Sequence, residues 1–384
     1  MARFLAAGFL LAGLLCAVQF AEAGTPTPGS LPVVNTKGYT SSEVCAKCHE
    51  DIHRTWKNSL HAMSLSDPVF DAAYWEAIKL SKGTARTICL RCHAPTTRVT
   101  KDYDQRLAIT EEGVTCDFCH TIQATNPFTA GEPFTMRPGL TKWGPLRDVE
   151  SPVHKTEYSV THTMSQLCGG CHELHAKSGA VLMGTYSEWR AGPYPGQGIH
   201  CQNCHMPQGE GRVVRPEVKA TEHPINLHDI QGGHSPEQIR KAARVEVREI
   251  QRTEGGYRIE VTVENVGSGH MIPTGVPTRQ LILVVQLLRG QTVLGEQQTV
   301  FRKVVVDEQG HELRTDAEVF LRGVAIRSDN RIPPKGTQET SMFFPYTGSP
   351  DFVVEAKLYY RYPVAIAKPE EIMLEMAGAT RAAH

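Results

Sequence analysis

Ten of the eleven cysteines fall into five C-x-x-C pairs, and a histidine follows the second cysteine of every pair. The five runs are Cys45, Cys48 and His49; Cys89, Cys92 and His93; Cys116, Cys119 and His120; Cys168, Cys171 and His172; and Cys201, Cys204 and His205. C-x-x-C-H is the attachment signature of c-type haem: two thiols add across the porphyrin vinyl groups, and the adjacent imidazole is held against one face of the iron. Two other chemistries use paired cysteines, disulfides in exported proteins and thiolate zinc sites. Neither requires the histidine. With histidine at 17 of 384 residues, five such coincidences have a chance of roughly 10⁻⁷. An odd number of pairs also suits Cys₄ zinc sites badly. Five covalent haems are therefore expected, with no cysteine of the mature chain left for a disulfide.

A haem iron takes a second axial ligand or keeps that position open, and the choice separates a carrier from a catalyst. Twelve histidines lie outside the motifs. His61, beyond Trp56 and Ser59 at a helix end, is placed to turn towards another haem. His154 in Ser151-Pro152-Val153-His154 is similarly placed, with His162 as its competitor. His228 and His234 flank Ile230-Gln231-Gly232-Gly233, where glycine lets backbone and a flat macrocycle come close, and one of the two is expected to ligate. His270, in the Asn265–Gly275 loop, either reaches an iron or hydrogen-bonds within an ordered turn. His53 and His175 stand one turn from motif histidines and cannot reach the opposite face of the same porphyrin. For His53 a solvated or propionate-bonded side chain is expected. His311 falls in a turn and His384 is terminal. Met206 directly follows His205 and is read as packing.

The run CAKCHEDIHRTWKNSLHAM resembles the opening of multihaem cytochromes c of the c-552/c-554 type, in which Trp, Ser and a ligating His follow the first motif. GVTCDFCH (113–120), SPVHKTEY (151–158) and TYSEWRAGPYPGQGIHCQNCHMP (185–207) are similar to elements of the same superfamily. The resemblance covers about residues 38–235. It implies that His61 is a ligand and that His154 and His228 are distal positions. That superfamily holds electron carriers and, more distantly, nitrite reductases and hydroxylamine oxidoreductases. No C-x-x-C-K occurs here, so the catalytic feature of the dedicated nitrite reductases is missing. A G-H-x-x-P-T-G segment like that around His270 recurs in β domains attached to multihaem cytochromes.

The elements that must position these residues divide the chain. Residues 1–23 read as a signal peptide, with a basic start, an apolar run to Phe20 and the small-x-small site Ala21-Glu22-Ala23; Cys16 leaves with it. A linker (24–37), a pentahaem domain (38–235), a connecting helix (236–243), a β-sandwich (244–366) and a tail (367–384) follow. Tyr257, Ile259, Val261 and Val263 alternate with polar residues as a half-buried strand does, and further strands are expected at 280–289, 298–306, 317–326, 337–345 and 352–362. The fold class expected is α+β and multidomain: a loop- and helix-rich multihaem domain followed by an immunoglobulin-like β-sandwich.

A formal net charge of -1 excludes a basic nucleic-acid binder, and haem propionates would make the holoprotein acidic. The functional expectation is an exported electron carrier, periplasmic or extracellular, without a transmembrane segment in the mature protein. It would meet redox proteins or copies of itself. The alternatives are a reductase with one open iron acting on a small nitrogen or sulfur compound, and a polymerising extracellular subunit.

Overall fold

Two cysteines three positions apart need one helical turn to share a face, and the first half of the chain is a succession of such turns. In the computed structural model, which describes residues 31–214, 224–362 and 372–383, each motif lies on or against a short helix: Ser42–Ala46, Ala85–His93, Cys116–Cys119, Gln166–Gly169 and Cys201–His205. The His49, His120 and His172 N–H groups bond the carbonyls of Cys45, Cys116 and Cys168 at 2.9, 3.0 and 3.0 Å, so first thiol and imidazole sit one turn apart. Local chemistry starts these helices. Ser41 caps the first, accepting from Glu43 N, and Asp67 with Pro68 at N1 starts the longest, Pro68–Leu80.

The apolar interior of this half is thin. Tyr74, Leu90 and Ala94 form one small cluster, Ala77, Ala85 and Ala317 another, and Phe118, Ile122 and Phe134 a third. Side chains alone give so many short helices little to pack on, since helices this short draw their stability from tertiary contact.

The second half has a core of its own. Its strands are β1 (Ala243–Thr253), β2 (Gly256–Asn265), β3 (Gln280–Arg289), β4 (Thr292–Phe301), β5 (Lys303–Val306), β6 (Ala325–Asp329), β7 (Thr337–Phe344), β8 (Val353–Tyr362) and β9 (Ile372–Ala382). One antiparallel sheet runs β7-β2-β1 and another β4-β3-β8-β9, while β5 and β6 pair separately. Ile259 and Val261 of the first sheet and Leu281, Leu283, Val354 and Leu358 of the second belong to a single buried cluster, a sandwich-like arrangement. The alternation read in 257–263 is observed: Tyr257, Ile259, Val261 and Val263 are all buried.

Three expectations are corrected. Residues 317–326 are not a strand: Asp316–Arg322 is helical, started by a capping box in which Thr315 and Glu318 satisfy each other's backbone N–H, and only from Ala325 does a strand follow. The stretch 298–306 is split at Arg302 between β4 and β5. The expected tail contains β9, which pairs with β8 from Ile372 opposite Tyr362 to Ala382 opposite Val353. The leader at 1–23, His223 and His384 lie outside the described residues.

From Val33 onward the chain forms one compact unit. Arg331, beyond β6, bonds Glu188 of the helix Thr185–Ala191 at 2.7 Å and Asp329 at 2.8 Å. Thr315 Oγ1 donates to Glu76 at 3.0 Å, and Leu182 packs with Val305, Leu313 and Val319. Leu283→Ala, at a fully buried position, is expected to cost about 2–5 kcal/mol and lower the thermal midpoint of the strand signal in circular dichroism. Val293→Ala, at a side chain 49% exposed, should stay within about 0.5 kcal/mol of the parent.

Candidate metal centres

An imidazole has two nitrogens, and a backbone carbonyl can only accept, so a ring whose Nδ1 meets a carbonyl carries its proton there and presents a bare Nε2. That arrangement recurs at the motifs. Nδ1 of His49 lies 2.5 Å from Val213 O, that of His93 3.1 Å from Ser64 O, that of His120 2.7 Å from Trp143 O and that of His205 2.6 Å from Gln231 O. It recurs outside them: His154 on Lys155 O at 3.1 Å, His228 on Asn226 O at 2.6 Å and His270 on Met271 O at 2.9 Å. A carbonyl on the far nitrogen is the usual outer support of a metal-bound histidine.

The rings meet in pairs drawn from distant segments. The centroids of His49 and His154 are 6.2 Å apart, those of His61 and His172 6.4 Å, and those of His205 and His270 6.3 Å. The His120 ring lies 5.4 Å from that of His162, but Nε2 of His162 is 3.0 Å from Cys119 O. His228 neighbours His120 electrostatically, and its backbone N–H donates to Thr55 Oγ1 at 3.0 Å. The ring partner of His93 is Phe70, stacked at 3.7 Å and 15°. His234 is not brought to a motif histidine among the described residues: its Nε2 lies 3.4 Å from Arg279 and its ring 5.1 Å from Tyr362.

The remaining histidines behave differently. His175 binds Glu173 at 2.6 Å, and exposed His311 lies 3.5 Å from Asp307 in the expected turn. His53 is not solvated. It is buried against Trp56, its Nε2 without a hydrogen-bond partner.

The ten motif thiols of the described residues are free, and those of different motifs meet: Cys45 with Cys116, Cys92 with Cys171 and Cys168 with Cys201. No three His, Cys, Asp or Glu side chains among the described residues converge as a tetrahedral zinc site needs. Bare Nε2 atoms, free thiols a turn away and a half short of apolar core all fit covalently held haem.

Residues that no motif announces complete the sites. Buried Asp117 accepts from Thr40 N at 2.6 Å and pairs with Lys142, tying the third motif to the chain ahead of the first. Trp189 Nε1 donates to Ile199 O at 2.9 Å and so fixes the approach to the fifth motif. The orienting carbonyls of Ser64, Trp143, Val213 and Gln231 have no sequence signal, because any residue supplies one.

Residues 44–121, which hold the first three motifs, match the family model of cytochrome c554 and c-prime. The five C-x-x-C-H motifs and the fold are similar to those of multihaem c-type cytochromes. A penta-haem cytochrome c552 from Thermochromatium tepidum superimposes with a TM-score of 0.71 at 23% identity, over 89% of this chain and 98% of that one. A β-glucosidase from Kluyveromyces marxianus overlaps 38% of this chain and 14% of its own at 8% identity, and its TM-score of 0.16 marks no common fold. No curated protein matches the chain.

Burial holds the site histidines neutral, as ligation requires. It depresses His61 from the ordinary 6.5 to about 3 and His93, His172 and His228 to about 4, with neighbouring histidines adding to the effect at His61, His172 and His228. The unfolded chain takes up protons below about pH 6.5 and the folded chain does not until about pH 4. Stability is therefore complete above 6.5 and falls as the pH drops through that window. Thermal midpoints of the holoprotein at pH 7, 5.5 and 4.5 should decrease in that order, and a flat series would contradict the burial of neutral rings.

Proposed function

We propose that this chain is an exported pentahaem cytochrome that carries electrons through closely packed, mostly bis-histidine haems to or from a redox partner. Two metal–imidazole bonds of about 2.0–2.1 Å, plus roughly 1.1 Å from each ligating nitrogen to its ring centre, put facing imidazoles ~6.3 Å apart. Separations of 6.2, 6.4 and 6.3 Å in three histidine pairs are the observation that carries the reading. On it, His49 and His154 hold one iron, His172 and His61 a second, and His205 and His270 a third, with His228 assigned to His120.

Five sites follow from five motifs, and the penta-haem relative supports the number. Bound haem supplies a one-electron couple, and two imidazoles favour a lower potential than His/Met. The chain's own part is to hold each Nε2 in line, to keep the rings neutral and to bring the attachment points together, a reading the thiol contacts between motifs support. Residues 1–23 support export, and among the described residues no helix is long and apolar enough to cross a membrane. Propionates would give the holoprotein an acidic surface suited to partners with basic faces.

A reductase reading has one observation in its favour. Among the described residues the His93 ring stacks on Phe70 and has no imidazole ring beside it, so the second motif is where such a reductase would keep its open iron. A pyridine haemochrome assay should give five haems per chain, and fewer would overturn the count. His154→Met should raise the potential of one centre and change one low-spin electron paramagnetic resonance signal while leaving the others in place. Cyanide or nitric oxide titration tests the second motif: a high-spin signal that converts supports an open iron, and an all-low-spin, inert spectrum removes it.

A further inference from the structure

Arg279, which directly precedes β3, has no carboxylate in ion-pair contact among the described residues, and the Asp316 carboxylate acts on it from further away. It is half-buried. Its surroundings are the face of Tyr362, 5.1 Å from the guanidinium carbon, the hydroxyl of Tyr360, and Nε2 of His234 at 3.4 Å. Tyr360 and Tyr362 stack edge to face at 4.8 Å, and the Tyr362 hydroxyl donates to Gly233 O. On the other side Gly275, at φ +81, leaves room: a Cβ there would come 3.3 Å from Nη1.

The cluster stands beside the haem-bearing half. The neighbouring Thr278 bonds Asp316, the first residue of the helix Asp316–Arg322, whose Ala317 packs on Ala77 of Pro68–Leu80. That longer helix carries Phe70 onto the His93 ring. Arg279 also acts electrostatically on His172, so the cluster lies near the second and fourth motifs.

An ionised guanidinium taken out of water is costly unless a counter-charge meets it. Its planar fork matches two oxygens of one oxyanion, and a neutral imidazole and phenols beside it supply further polar contacts. We infer that Arg279, with His234 and Tyr360, forms a binding site for an oxyanion beside the second and fourth attachment motifs. The oxyanion is either a haem propionate or a small free anion. The inference rests on haem occupying those motifs.

The test uses holoprotein with Arg279→Gln and Arg279→Lys, after the haemochrome assay has shown equal loading. A short haem count is a failure of the haem reading and is thereby separated from the role of Arg279. With a propionate as ligand, Arg279→Gln lowers one midpoint potential in spectroelectrochemistry, and neither nitrite nor sulfite perturbs the parent spectrum. With a free anion, nitrite or sulfite gives a saturable spectral change in the parent, weakened about tenfold or more in Arg279→Gln and partly restored in Arg279→Lys, which keeps the charge but not the fork. Unchanged potentials together with no anion response in the parent would overturn the site.

Discussion

A hydrogen bond from imidazole Nδ1 to a backbone carbonyl is the constraint on which the rest of the structure turns. It settles which nitrogen holds the proton, fixes the ring's rotation, and leaves Nε2 as the only atom that can be offered to a metal. It occurs at His49, His93, His120, His205, His154, His228 and His270. Much irregular backbone in the haem-bearing half is explained by it, because each loop must end with a carbonyl at one point in space. The short strands and turns that connect the motifs serve that placement more than any apolar packing of their own.

The two halves solve the core problem differently. Strands β2, β3 and β8 bury aliphatic side chains in one continuous cluster, which makes that half stable on ordinary grounds. Among the described residues the other half has only small clusters, which fits an interior that covalently held groups would fill. Polar contacts join them: Glu188 takes Arg331 from one side and the Thr274 hydroxyl, at 2.5 Å, from the other, close to the loop that carries His270. The β half thus contributes a ring to the fifth motif and the means of holding it there.

The motif residues were legible because covalent addition to one rigid macrocycle would force them into five contiguous residues. Distal candidates were legible only as a set. His154 precedes the fourth motif in sequence but faces His49 of the first, and His61 follows the first motif but faces His172 of the fourth; such pairings depend on tertiary path and leave no local pattern. For His270 the turn hydrogen bond is observed at Nδ1, and it leaves the ring facing His205. The helix at Asp316 lies where a strand was expected, and the Thr315–Glu318 capping box is the local signal that marks it. Strand β9 was missed for another reason: of its residues only Met376 is buried, so an edge position leaves almost no period-two trace.

His49 takes its orienting carbonyl from Val213, 164 positions further along the chain. The second motif finds its carbonyl at Ser64, which precedes it, and the third at Trp143, 23 positions on. A chain that emerges N-terminus first therefore presents its earliest motif unsecured until every other motif has followed. Order of appearance and order of completion run opposite ways, and the first imidazole to be made is among the last to be set.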